Sequence, residues 1–162
     1  LIPQWGRLIA TGYVCIYSPS HIREDLDFYL NYNFIMKNVA IKGKYTPQNK
    51  GKFLSRRKPV YRSMWERRFM IYCDRSESIL EWDSESLHIP YVSPKDNRWH
   101  NYYPDFYIKY IDKHDQIIKA LIEIKPYFQK KWDVNIAKWD ACQKHCDKKK
   151  MEFKVLTERE LF

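Results

Sequence analysis

Two short runs hold the residues best suited to acid, base or metal chemistry: Pro104-Asp105 and, further along, Glu123-Ile124-Lys125. Side chains alternate across a strand, so Glu123 and Lys125 project to one face while Ile122 and Ile124 project to the other. Ionised carboxylates on neighbouring strands repel and lose hydration, so Asp105 and Glu123 at the end of an otherwise apolar hairpin call for a compensating cation. Magnesium suits carboxylate, water and phosphate oxygens, and manganese takes the same ligands. A phosphodiester would complete the shell, with Lys125 orienting the attacking water or neutralising charge on phosphorus. The competing reading makes Asp105, Glu123 and Lys125 a salt-bridge cluster on a solvated sheet face. The proline before the aspartate, the hairpin and the basic chain around an acidic centre favour the first.

Glu66 admits two roles. It stands third after Ser63, the spacing of a capping box, which explains its position without any metal. In the other role its helix packs beside the hairpin and turns Glu66 toward the same cation. Arg67 and Arg68 next to it, and Lys138 on the helix after the ExK strand, are candidate DNA-backbone contacts, or simply solvated charges. Glu85 either approaches the site or is an exposed loop carboxylate. Cys142, His145 and Cys146 have helical spacing, but no second cluster supplies the remaining ligands of a structural zinc site.

The elements that must position these residues follow from periodicity. Trp65, Phe69, Tyr72 and Cys73 recur at helical intervals and predict a helix over 63–74. Leu87, Ile89 and Tyr91 alternate with polar neighbours, predicting a short strand that ends near Pro90, with turn chemistry at 94–97. Residues 102–111 and 117–125 are expected to pair as a hairpin around Asp112 to Asp115, placing Pro104-Asp105 on a strand. Beyond Pro126 a second helix is expected to turn Trp132, Ile136, Trp139 and Cys142 or Cys146 to one face, before a last strand over 152–156. The order is helix, three strands, helix, strand, with the final connection a crossover to a parallel partner: a mixed α/β layered domain.

With 162 residues, 44% of them hydrophobic and 17% aromatic, the chain has material for one principal core and is no disordered tail. Its 29 basic against 20 acidic residues give +9, which favours a polyanionic partner. No apolar run of eighteen residues suggests a membrane span. The four scattered cysteines fit a reducing, cytoplasmic setting better than a disulfide scaffold. Residues 37–60 are basic and broken by Gly43, Pro47, Gly51 and Pro59, so they read as an extended arm, laid along DNA or left as a surface linker. Residues 1–36 are expected to be a dispensable extension, with Met36 a candidate start.

Several of these runs, in the same order, resemble the head completion nucleases of T4-like tailed bacteriophages. They are Tyr61-Arg62-Ser63-Met64-Trp65-Glu66, Ser84-Glu85, Ile89-Pro90-Tyr91, Tyr103-Pro104-Asp105-Phe106, Glu123-Ile124-Lys125-Pro126, Lys138-Trp139 and Phe153-Lys154-Val155-Leu156-Thr157-Glu158. The likeness covers about residues 44–160 and places the ExK run among PD-(D/E)xK nucleases. It implies an α/β, restriction-endonuclease-like core, a mixed β-sheet flanked by helices, over 61–162. It puts Glu66, Asp105, Glu123 and Lys125 at the catalytic positions, with Glu66, Asp105 and Glu123 holding Mg2+ or Mn2+. It further implies action on double-stranded DNA, trimming the packaged end in the host cytoplasm during assembly or in the virion, beside portal or head-neck proteins. Two other readings stay open: a non-catalytic DNA- or portal-binding head protein, and an endonuclease subunit like those that cut at transposon ends, which carry a similar pattern.

Overall fold

The computed structural model describes residues 42–161; the expected extension over 1–36 and the first part of the basic arm lie outside them. The described chain runs β1 (Gly43–Lys44), β2 (Val60–Tyr61), α1 (Met64–Arg75), β3 (Ile79–Ser84), β4 (Ile89–Val92), β5 (Trp99–Tyr102), β6 (Phe106–Ile111), β7 (Ile117–Ile124), a 3-10 turn (Tyr127–Lys131), α2 (Asp133–Lys149), β8 (Glu152–Leu156) and α3 (Glu158–Leu161). A four-stranded mixed sheet in the order β3-β6-β7-β8 forms the centre. Its first three strands are antiparallel, and β8 joins β7 in parallel after the α2 crossover. The fold is a mixed α/β sheet flanked by helices.

The composition of β7 explains its place. It runs Ile-Ile-Lys-Ala-Leu-Ile-Glu-Ile, and its last five residues are all buried, as a strand covered on both faces requires. Ala120, Ile122 and Ile124 pack with Phe69, Met70 and Cys73 of α1. Leu121 faces the other way, into a cluster with Ile89, Tyr91 and Tyr102 of the β4–β5 ribbon and Cys142 and Cys146 of α2. Glu123 shares the Leu121 side by alternation. In β6 the alternation is clean: Phe106, Ile108 and Tyr110 are buried between half-exposed Tyr107, Lys109 and Ile111.

Four expectations need correction. Ile79–Ser84 is the outer strand of the central sheet, although its sequence alternates poorly; a bulge between Ile79 and Glu81 shifts the register and lets Ile79 and Trp82, three positions apart, enter the same core. The span 102–111 is not one strand but two, β5 and β6, separated at Tyr103-Pro104-Asp105, and β4 pairs only with β5 in a separate ribbon. Pro90 lies inside β4 rather than at its end, which an edge strand paired on one side only tolerates. On α2 the buried face is Asn135, Cys142 and Cys146, with Val134, Ala137 and Trp139 packed beside them. Trp132 and Ile136 are exposed.

Residues 42–60 lie against this body. Lys52 and Leu54 exchange backbone hydrogen bonds with Trp82, and Phe53 packs its ring 4.6 Å from the Trp82 indole, so the segment covers the β3 edge. Buried Asp74 at the end of α1 holds the segment's other half: it accepts from the Tyr45 hydroxyl at 2.8 Å and from the Gln48 and Asn49 N–H groups at 2.7 and 3.0 Å. Removing a carboxylate with three donors leaves those donors unmatched, at a cost of about 2–3 kcal/mol. Asp74→Ala is therefore expected to lower unfolding stability by that amount and to open residues 45–55 to protease well before global unfolding; protection equal to the parent's would show that Asp74 does not hold the segment.

Candidate active site

Pro104 lacks the N–H that a ladder needs, so the chain leaves the β4–β5 ribbon at Tyr103 and re-enters pairing only at Phe106. Asp105 thus sits at a strand entrance rather than on a strand. Phe106 is opposite Ile122, so one step further the register sets Asp105 opposite Glu123. Two hydrogen bonds fix Asp105: its carbonyl accepts from the Glu85 N–H at 3.1 Å, and its Oδ2 accepts from the Ile124 N–H at 2.7 Å.

Glu123 is 2% exposed. Its Oε2 accepts from the Tyr102 hydroxyl at 2.7 Å, and its Oε1 meets Lys125 Nζ at 3.0 Å. Lys125 Nζ also lies 3.8 Å from Asp105 Oδ2. The Lys125 backbone is tied to β8 through Leu156 O at 3.0 Å, so the ammonium is aimed by the parallel pairing. Sequence analysis expected Asp105, Glu123 and Lys125 near one another, and the structure brings these three together.

The electrostatics are those of a crowded, half-dry site. Burial, then the Glu123 charge, push the Asp105 carboxyl up to about 8, against the pull of Lys125 and the Ile124 N–H. Burial works against the Lys125 ammonium, but the charges of Asp105 and Glu123 and the bond to Glu123 outweigh it and hold its pKa above the ordinary lysine value. Burial and the Glu123 charge raise the Tyr102 phenol far above its usual range, so Tyr102 serves Glu123 as a hydrogen-bond donor.

Glu66 closes the capping box. Its N–H donates to Ser63 Oγ at 3.1 Å, while its Oε1 accepts from the Ser63 hydroxyl at 3.0 Å and its Oε2 from the Arg62 N–H at 2.7 Å. Its charge is nonetheless felt by Asp105 and by Lys125, which puts the start of α1 beside the sheet end. The structure thus shows the capping role, while among the described residues Glu66 does not join Asp105 and Glu123 in a cluster able to hold an ion by itself.

Arg62 was not singled out from the sequence. Its guanidinium grips both oxygens of Glu85 and lies in the field of Glu66 and Asp105. Glu85 adopts φ 50, a left-handed conformation unusual for glutamate, while its N–H pins Asp105. Tyr102 was also missed, since a tyrosine two positions before Pro104 reads as core until its hydroxyl is seen to find Glu123. Lys138 stands over the rings of Tyr91 and Tyr102, 5.8 and 5.9 Å from their centroids. Arg67 and Arg68 are half-buried on α1. Cys142 and Cys146 are buried in the apolar cluster.

Among the described residues, no three His, Cys, Asp or Glu side chains are grouped closely enough to hold an ion by themselves. A magnesium-type ion needs less than that: one or two carboxylates suffice when water and substrate phosphate supply the rest. Asp105 and Glu123 fit this role on chemical grounds, since they are paired, poorly hydrated acids, and a bound cation would favour the ionised Asp105 that burial and the Glu123 charge oppose.

The TnsA-like endonuclease N-terminal family matches residues 76–158. That stretch contains Asp105, Glu123 and Lys125, whereas Glu66 precedes it. The chain is also 30% identical over 143 residues to the head completion nuclease of Enterobacteria phage T4, an alignment covering 74% of this chain and 93% of that protein.

The charge balance at Asp105 sets a pH dependence. An aspartate in the unfolded chain ionises near about 3.9, so folding retains the Asp105 proton from there up to about 8. A raised acid costs stability as pH climbs through that window, because the unfolded state releases the proton first. Unfolding in urea with EDTA is expected to show falling stability from pH 5 to pH 8. Asp105→Asn should flatten that fall and gain about 1–2 kcal/mol at pH 8; an unchanged slope in the variant would contradict this account.

Proposed function

From the premise that the chain belongs to the TnsA-like endonuclease N-terminal family, and so is a nuclease, we propose that it is a metal-dependent DNA endonuclease of the PD-(D/E)xK type with a restriction-endonuclease-like core. The observation that carries this reading is the convergence of Asp105, Glu123 and Lys125 where β6 begins and β7 ends, within the field of the Glu66 charge. Asp105 and Glu123, joined by Glu66, would hold Mg2+, or Mn2+ in its place. Such an ion, when bound, supplies Lewis-acid polarisation of a phosphoryl oxygen and a more acidic water.

The remaining work falls to the chain's own groups. Tyr102 and the Ile124 N–H fix the two carboxylates in place before substrate arrives, which is the preorganisation that hydrolysis needs. Lys125, kept protonated by its two acidic neighbours, places a positive charge where the attacked phosphate becomes more negative. Lys138 on α2, and Arg67 and Arg68 on α1, would take backbone phosphates of double-stranded DNA, an attraction the +9 chain reinforces at low salt.

The likeness to a head completion nuclease supports a role in phage head completion, trimming the packaged DNA end in the host cytoplasm or virion beside portal or head-neck proteins. The TnsA-like family match supports a second reading, an endonuclease subunit that cuts at transposon ends. Among the described residues no helix is long and apolar enough to cross a membrane.

Incubation of linear and circular DNA with the protein in Mg2+, Mn2+ or EDTA tests the assignment. Cutting is expected only with metal, and Asp105→Ala and Glu123→Ala are each expected to lose on the order of 10³-fold, equal to about 4 kcal/mol. Undiminished cutting by either variant would remove that residue from the site.

Glu66 needs a different substitution, because alanine would destroy cap and charge together. Glutamine can close the same capping box without the charge. Glu66→Gln is expected to fold with stability within about 0.5 kcal/mol of the parent yet to cut poorly; full activity would leave Glu66 with its capping role alone.

A further inference from the structure

Beyond the carboxylate site, the segment after the ExK strand shows an unusual surface. Phe128, Trp132 and Ile136 are 66%, 49% and 50% exposed and recur every four residues from the 3-10 turn into α2. The buried Asn135 explains why: its side-chain amide donates to Gln129 O at 3.0 Å, turning that edge of the helix inward and the Trp132 edge outward. The Phe128 and Trp132 rings meet edge-on, 5.9 Å apart. Apolar rows of this kind on a surface mark a binding site more often than chance exposure.

Trp132 also walls a cleft of about 360 Å³, lined by Pro94 and Lys95 of the β4–β5 turn and by Asp133 and Val134 at the start of α2. Its chemistry is an indole, a lysine, and one carboxylate able to accept from amino groups; on the adjoining turn Lys131 is exposed, while Lys130 stands over the Tyr127 ring. Aromatic faces interleaved with lysines are the means by which proteins hold unpaired nucleotides, since every base has a π-face and every step a phosphate.

We propose that this cleft takes an unpaired nucleotide of the DNA, with its base against Trp132 and its phosphates toward Lys95, which lines the cleft, and the neighbouring exposed Lys131. The proposal rests on the reading of this chain as a DNA-cutting enzyme and adds the substrate's form. Only Pro126 and the five-residue 3-10 turn separate Lys125 from Trp132, and such a turn spans about 10 Å. An unpaired stretch held there lies within a few nucleotides of the cut. The preferred substrate is then DNA with a protruding or frayed strand rather than a fully paired, blunt duplex.

The test uses the full chain carrying Asp105→Asn, titrated in EDTA with a labelled oligothymidine and followed by anisotropy, so that no cutting intervenes. Adding Trp132→Ala is expected to weaken oligothymidine binding about ten-fold, with Trp132→Phe recovering most of it. In the parent background, Trp132→Ala should lower the ratio of tailed-duplex to blunt-duplex cleavage by a similar factor. Unchanged oligothymidine affinity in the alanine variant would overturn the cleft, even if that variant failed to assemble with a partner protein. Failure of the underlying nuclease reading would appear separately, as a parent chain that cuts neither duplex.

Discussion

The opposition of Asp105 and Glu123 is the constraint around which this structure is arranged. Two carboxylates facing each other across an antiparallel pair, one of them fully buried, are unfavourable by both dehydration and repulsion. The chain answers with one lysine, one tyrosine hydroxyl and one backbone N–H. These fix geometry more than they neutralise charge, as the raised Asp105 pKa records. The residual field is what a cationic cofactor and a phosphodiester together would cancel, which is why strain at such a site is a signature of chemistry rather than of poor folding.

Holding that strain requires stability from elsewhere, and the placement of β7 supplies it. Its alternate residues feed both apolar clusters, so the strand that ends in Glu123 is anchored from α1 on one side and from α2 with the ribbon on the other. Lys125 then leaves the ladder while still bonded to β8. Two loops brace the opposite rim: Arg62 before α1 grips Glu85 after β3, and Glu85, strained into a left-handed conformation, holds the Asp105 peptide. The site is therefore built on strand ends and locked loops.

Much of this was legible in the sequence where local rules and tertiary packing agree. The capping box fixed the start of α1, the β6–β7 hairpin followed from alternation around a polar turn, and the parallel β8 followed from the length of the crossover. The convergence of Asp105, Glu123 and Lys125 followed from the same hairpin. What was hidden depended on contacts distant in sequence. The strand Ile79–Ser84 carries a bulge that breaks its alternation, and only its pairing with β6 makes it a strand. The proline that marks Asp105 also cuts the strand it was expected to lie on. Helical spacing put Trp132 and Ile136 with Trp139, but one side-chain amide, Asn135, rotates the helix start and exposes both. Tyr102 and Arg62 carry no local signal, since each acts on a residue some twenty positions away.

The distribution of charge completes the argument. An acidic centre in a +9 chain is repulsive to a polyanion at close range and attractive to it farther out. Lys138 beside Tyr102, Lys95 in the Trp132 cleft, and Lys130 and Lys131 on the 3-10 turn lie at the margins rather than between the carboxylates. Such an arrangement separates holding DNA from cutting it: the basic margin suffices to bind, whereas approach of a phosphate to Asp105 and Glu123 needs their charge met first. Under the proposed function, affinity and turnover would then respond to different variables, salt for the one and the cation for the other.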